Sequence, residues 1–285
     1  MKLCYLVIPI IYCMARCFSW LFKYFFSLLN NFKVWESLQG KYVVVTYATS
    51  ELGEAICARI VEKGMKLILL GNNEQDLIHL RARLLKKTKI IYHVIDFSIA
   101  SDFSFLDKYD IGLIINLLVI PDPKPQYFIN QKVASTIDSL LRGQFQMLKA
   151  VLALMAQKHK GYVLNVNFSF SLQPRPQTAF VSALMSFYKL WSESMYYEMM
   201  PSNVNVEFMD VGPVDGSNTR FFLFNPSVET LSKCIVGTLG TAFFTIPYFP
   251  HLIQFSMIFA LPGFLVARYR SAKNEALIRS YHNLS

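Results

Sequence analysis

Residue types able to bind a metal, form a disulfide or act as a nucleophile are sparse and scattered in this chain. The five histidines, His79, His93, His159, His251 and His282, show no spacing that would gather a metal with a cysteine, and each is expected on the surface or in a loop. Among the five cysteines, Cys4, Cys13 and Cys17 fall in an apolar N-terminus while Cys57 and Cys234 stand alone. Such an odd, unpatterned set argues against a disulfide framework. Cys17, beside Arg16, has the setting of a palmitoylated residue, but a small apolar residue in a membrane helix is the simpler reading. Asn167-Phe168-Ser169 and Asn283-Leu284-Ser285 are glycosylation sequons that matter only if the domain is lumenal. The formal net charge is +9, densest at Arg81 to Lys89 and Arg268 to Lys273. Attraction to membrane lipid with anionic headgroups accounts for that charge more economically than nucleic acid, which is not an expected partner.

The elements that must carry these residues form an α/β pattern behind an apolar leader. Hydrophobic residues make up 53% of the 285 and charged residues 16%, too apolar a balance for an ordinary cytosolic enzyme and short of a multi-span transporter. Leu3 to Phe22, with Arg16 reaching toward the interface, is long enough to cross a bilayer. A membrane anchor over residues 1–35 is preferred to a cleaved signal peptide, because no small-x-small cleavage site follows the apolar run. One Lys precedes the anchor and Arg16, Lys23, Lys33 and Lys41 follow its start, a bias that places the folded domain on the cytosolic side.

Lys41 to Tyr47 is a short β-branched run with the look of a strand buried on both faces, and helical periodicity follows at Leu52, Ile56 and Ile60. Strands are predicted at Leu67 to Leu70, Ile90 to Val94, Ile111 to Asn116, Tyr162 to Val166 and Val204 to Met209. Helices are predicted at Glu74 to Lys87, Ser135 to Lys158 and Phe180 to Met200. This alternation implies a doubly wound parallel sheet, a Rossmann-type α/β core over residues 36–225. Residues 226–285 form an apolar cap or membrane-associated segment with a basic tail. Ala242 to Ala267 carries no charge, but Pro247, Pro250, Pro262 and Gly263 interrupt it. A second span, a hairpin in the bilayer surface and a cap on the core all remain open, the straight span being the least favoured.

The turn Thr46-Tyr47-Ala48-Thr49-Ser50-Glu51-Leu52-Gly53 resembles the T-G-x-x-x-G-x-G turn of short-chain dehydrogenases/reductases, with Thr46 and Gly53 in common. The likeness continues in register through Lys63 to Leu67, Asp96-Phe97, Asp110-Ile111-Gly112, Asn116, Gly161 to Asn165 and Val211 to Asp215, about 230 residues in all. The chain is most similar to the membrane-bound 17β-hydroxysteroid dehydrogenase and very-long-chain 3-oxoacyl-CoA reductase branch. That resemblance implies a dinucleotide held against a helix N-terminus, with Thr46, Gly53, Asp96 and Asn116 as the cofactor-binding positions.

In the same register, Tyr47 and Glu51 replace two phosphate-loop glycines, bringing bulk and a negative charge. Two like charges about 4 Å apart cost on the order of 4 kcal/mol at an effective dielectric near 20. A structural role for Glu51, satisfying free N–H groups at the helix start, is the expected alternative. Gly71-Asn72-Asn73 supplies neither the Arg nor the acid that distinguishes NADP from NAD users. No cofactor is therefore expected, and NADP only if the chain is active.

The resemblance also implies a reductase tetrad of Asn, Ser, Tyr and Lys, and its positions fall on Leu140, Phe168, Val181 and Met185. None of these can donate a proton or carry charge at neutral pH. Tyr188 lies about 10 Å further along the helix from Val181, at 1.5 Å per residue, and Lys189 follows it directly instead of one turn later. Tyr196 and Tyr197 read as core or dimer-face aromatics. The four apolar substitutes are expected to form a plug. The expected function is a catalytically inactive short-chain dehydrogenase-like protein of the endoplasmic reticulum membrane, a binding or partner protein in lipid or steroid metabolism. It would pair as a homodimer, or as a heterodimer with a catalytic relative, through its long helices. The alternative is an active NADP-dependent oxidoreductase reducing a 17-ketosteroid or long-chain 3-oxoacyl-CoA through other groups; a duplicated chain without a retained role is a third reading.

Overall fold

Seven apolar runs assemble into one parallel sheet in the computed structural model, which describes residues 15, 18–19, 22, 31–85, 88–99, 102–119, 124–167, 174–212, 214, 224–240 and 243–282. The strands are β1 (Tyr42–Val45), β2 (Lys66–Gly71), β3 (Ile90–Val94), β4 (Ile111–Leu118), β5 (Gly161–Asn167), β6 (Val204–Asp210) and β7 (Phe244–Thr245), in the order β3-β2-β1-β4-β5-β6-β7. The order reverses between β1 and β4, so their C-terminal ends diverge into a crevice, the place where doubly wound folds bind ligands.

Alternation along the strands divides the core into two layers. Val43 and Val45 of β1 face α1 (Glu51–Glu62) and α6 (Val228–Gly237), where Ile56, Ile60, Leu231 and Ile235 close the layer. Val44 faces the other side and packs with Met147 and Val151 of α4 (Gly143–Gln157) and Leu184, Met185 and Tyr188 of α5 (Ala179–Met199). Each fully buried Val or Leu contributes roughly 1.5–3 kcal/mol. α2 (Glu74–Leu84) covers the β2–β3 edge, capped by Asn73, whose side chain accepts from the Gln75 N–H at 2.9 Å.

The helix expected over Ser135 to Lys158 is broken. A short α3 (Val133–Ile137) runs into a π-helical turn at Asp138–Arg142 before α4 begins. Strands β4 and β5 run further than predicted, since Leu117 and Leu118 continue the pairing with Val166 and Asn167, whose side chain finds a polar partner in Asp210.

Beyond residue 225 the chain stays with the core: α6 packs on α1 and β7 pairs with β6. At the other end, a helical segment over 31–37 docks against the C-terminus of α6. Asn31 Nδ2 donates to the carbonyls of Val236 (2.9 Å) and Leu239 (3.1 Å), and Trp35 Nε1 donates to Val236 at 3.1 Å. These side chains satisfy carbonyls that a helix end leaves open. Residues 1–35, expected to be a membrane anchor, lie largely outside the described residues.

Two helices follow β7: α7 (Phe249–Ala260) and α8 (Gly263–His282). Among the described residues no single helix is long and apolar enough to cross a membrane, and α7 and α8 together are bent by 113°. His251 departs from the expectation of a surface or loop histidine, for it sits fully buried on the inner face of α7. Its Nδ1 accepts from the Gly212 N–H at 3.2 Å and its Nε2 lies 3.0 Å from the Phe224 carbonyl, so both ring nitrogens are used and burial is tolerated. His93 is likewise not a loop residue but lies within β3, half-buried, its ring 4.1 Å from that of Phe105. His79 and His159 are exposed; the side chain of His282 lies outside the described set.

Candidate functional site

The crevice between β1 and β4 is built first by the turn that leaves β1. Tyr47 occupies left-handed backbone space at φ 45°, a conformation that favours glycine. Ser50 then caps α1: its hydroxyl donates to the Tyr47 carbonyl at 2.7 Å and accepts from the Gly53 N–H at 3.2 Å. The capping role expected of Glu51 is thus held by Ser50; the Glu51 carboxylate is exposed and contributes its charge near the positive end of the helix. Gly53 is needed by the turn itself, since a Cβ there would lie 2.4 Å from the Tyr47 carbonyl oxygen and 2.9 Å from that of Ala48.

The Tyr47 side chain turns inward and packs against both core layers, its ring 5.1 Å from Phe97. Burial pushes its phenol up to about 12, opposed by a hydrogen bond with Gln144 and reinforced by the charge of Asp96. Asp96 itself is exposed and ties its own turn, accepting from the Ser98 hydroxyl (2.6 Å) and N–H (2.8 Å), which hold its carboxyl below the usual range.

Behind Tyr47 lies a buried polar network. Thr46 Oγ1 accepts from the Leu117 N–H at 2.9 Å and donates to Asn116 Oδ1 at 3.3 Å. Asn116 Nδ2 donates to Asn165 Oδ1 at 2.9 Å and to Gln144 Oε1 at 3.4 Å, and Asn165 Nδ2 reaches Ser192 Oγ at 3.0 Å. Tyr188, fully buried, shares its hydroxyl proton between the Leu140 carbonyl and Gln144 Oε1 at 2.9 Å. Tyr188 thereby ties α5 to the π turn. Burial, then the charge of Tyr47, drives the Tyr188 phenol well above its ordinary value. Neither tyrosine is poised to give up a proton at neutral pH.

Thr46 and Asn116 are therefore brought together as cross-strand ties, Gly53 stands in the turn above them, and Asp96 lies at the crevice rim. Of the four positions to which the resemblance assigns the reductase tetrad, Leu140 and Met185 are fully buried in the α4–α5 layer and Val181 packs half-buried against it. Phe168 lies outside the described residues. Lys189 points elsewhere, pairing with Glu193 at 3.8 Å and lying over the Phe244 ring. Tyr196 and Tyr197 pack edge-to-face at 5.3 Å beside Phe243, with Tyr197 exposed. Burial raises the Cys57 thiol, leaving it unreactive, and among the described residues no group of acids, histidines and cysteines could hold a metal.

Sequence reasoning missed Gln144, Asn165 and Ser192. The available signal was a polar residue on the apolar face of an otherwise periodic helix or strand. It also missed that Asn167 is fully buried, its Nδ2 donating to Asp210 Oδ1 at 2.9 Å. A glycan at that sequon would report an unfolded chain, not the orientation of the domain.

Replacing Tyr188 by Phe tests the network. It leaves the Leu140 carbonyl and Gln144 short of a donor, and a loss of about 1–3 kcal/mol is expected in urea denaturation with an unchanged m-value. A neutral outcome would mean that water reaches the site.

A seven-stranded parallel sheet with this turn at the β1–α1 junction defines a short-chain dehydrogenase. The family model described as short chain dehydrogenase matches residues 41–222, and the chain belongs to that family. It is similar to very-long-chain 3-oxoacyl-CoA reductase of Mus musculus, 24% identical over 282 residues that cover 90% of this chain and 89% of that protein. It is also similar to inactive hydroxysteroid dehydrogenase-like protein 1 of Homo sapiens, 26% identical over 260 residues, 84% of this chain and 79% of that one. A short-chain dehydrogenase from Sphingobium yanoikuyae in complex with NADPH shares the fold at a TM-score of 0.62 and 19% identity, over 86% of this chain and 94% of that one. The matches thus include a protein named as a reductase of the kind the sequence suggested and one named as inactive.

Proposed function

We propose that this chain is a non-catalytic short-chain dehydrogenase that keeps its core as a binding or partner surface at the endoplasmic reticulum membrane, within lipid or steroid metabolism. The observation that carries this reading is the seating of Tyr47: on a left-handed backbone its half-buried phenol packs against Phe97 and bonds Gln144, at the turn where a pyrophosphate would need open glycine backbone. The residues present do not fit a dinucleotide, because the first turn of α1 adds the exposed carboxylate of Glu51, while that of Glu54 is already paired with Arg83 at 2.6 Å. The position of the family lysine is Met185, fully buried. No step of carbonyl reduction is assigned to any residue of the chain.

The membrane location is supported by the apolar leader and its basic flank. A partner surface is supported by the outward face of α5, where Phe187, Leu190 and Tyr197 are exposed in one stripe beside Phe145 and Trp191. That face would carry a homodimer, or a heterodimer with a catalytic relative.

The test is ligand-dependent melting of the purified full chain. Millimolar NADPH or NADH is expected to leave the melting point unchanged, whereas ligand at 1,000 times its Kd would add about 4 kcal/mol. Saturable stabilisation, or NADPH-dependent turnover of a 3-oxoacyl or 17-keto substrate, would overturn the reading.

A further inference from the structure

The junction of α7 and α8 is an apolar point that the core does not cover. Phe259, Ala260, Leu261, Pro262, Gly263, Phe264 and Leu265 are all exposed in succession, Phe264 by 71%, and Met257 one turn earlier by 64%. Pro262-Gly263 ends one helix and starts the next at a bend of 113°. The inner faces of the same helices are fastened down. Leu252, Phe255 and Val266 are buried, Gln177 Nε2 donates to Ser271 Oγ at 3.0 Å, and Asn274 Nδ2 donates to the Pro176 carbonyl at 2.9 Å. The point is therefore held rigidly away from the core by contacts on either side of it.

Charge identifies what it meets. No Asp or Glu occurs between Glu229 and Glu275, while Arg268 and Lys273 follow the point within three turns and are exposed, with Tyr269 between them. An apolar tip followed by a cationic band that carries an aromatic ring fits the surface of an anionic bilayer from the acyl chains outward. The sharp bend and the short length on each side suit a shallow dip better than a crossing.

We infer that residues 259–265 form a second lipid contact, a monotopic wedge inserted into the headgroup boundary of an anionic membrane, separate from the N-terminal segment. The inference rests on the membrane part of the proposed function and not on the loss of catalysis. Its test uses the full chain in phosphatidylcholine vesicles containing phosphatidylserine and a lipid with a photoactivatable diazirine in its acyl chain, with adducts mapped by peptide mass spectrometry. Adducts are expected both in residues 1–29 and at 257–265, and not in α2. Phe264→Glu with Leu265→Glu, both at exposed positions, should lower adducts at the tip about tenfold while the N-terminal adducts and melting point stay unchanged. Arg268→Gln with Lys273→Gln should remove the dependence of tip adducts on phosphatidylserine. Adducts confined to the N-terminus, or a tip crosslinked only to protein, would overturn the inference while leaving membrane attachment intact. Absence of adducts from both regions would overturn membrane attachment as well.

Discussion

Met185→Lys is expected to cost on the order of 4 kcal/mol at neutral pH, enough to unfold much of a marginally stable domain. Met185 is fully buried in the α4–α5 layer, at the position where the family resemblance calls for lysine. An ammonium placed there loses its hydration among apolar neighbours such as Leu148, Leu184 and Tyr188. Burial would lower the pKa of the new lysine below its unfolded value near 10.4. Between those two values the unfolded state binds more protons, so stability rises with pH, and the deficit should shrink as pH is raised toward about 10. Urea denaturation at pH 7 and pH 9.5 reads both effects. A deficit under about 1 kcal/mol, or one that ignores pH, would mean that solvent or a countercharge reaches position 185, and the crevice would have to be considered open. No NADPH-dependent reduction is expected from this variant, nor from one that adds Val181→Tyr and Phe168→Ser.

Gly143→Ala probes the other wall of the crevice. A Cβ at this position would sit 2.2 Å from the carbonyl oxygen of Phe97 and 2.8 Å from its Cα and carbonyl carbon. All three are backbone atoms of a residue whose buried ring is held by Tyr47 and Phe103, so the neighbour cannot simply rotate away. Helix propensity alone would favour alanine by about 1 kcal/mol. Overpacking against backbone costs about 3 kcal/mol, so a net loss near 2 kcal/mol is expected. Hydrogen exchange should accelerate at residues 46–50 and 95–98, where Tyr47 and Phe97 close the crevice. A stabilised variant would show the propensity term acting by itself, and would mean that the Phe97 loop yields freely and the closure is loose.

The strands were legible in the sequence because a strand buried on both faces needs an uninterrupted apolar run, and Val43 to Val45, Leu67 to Leu70 and Ile111 to Ile115 are such runs. The alternation of strands and helices, and with it the doubly wound order, followed from the same periodicity. The break in the helix over 133–157 was not legible. The hydroxyl that donates to the Leu140 carbonyl within the π turn is that of Tyr188, 48 residues away.

The same holds for the polar residues. Asn116 was visible as a strand residue, but its contact with Asn165, 49 residues on, turns it into a tie between strands. Glu51 looked like the cap of the first helix, and Ser50, one residue earlier and geometrically better placed, took that role. His251 carried no signal at all, because its two partners are backbone groups of loops that meet only in the folded chain. The uncharged stretch from 242 to 267 announced an apolar C-terminal region, but it left three readings open, a straight span being the least favoured. Packing divided it into an edge strand, a buried helical face and an exposed tip, since the free energy of an apolar residue depends on whether a neighbour is there to cover it, and local sequence does not contain the neighbour.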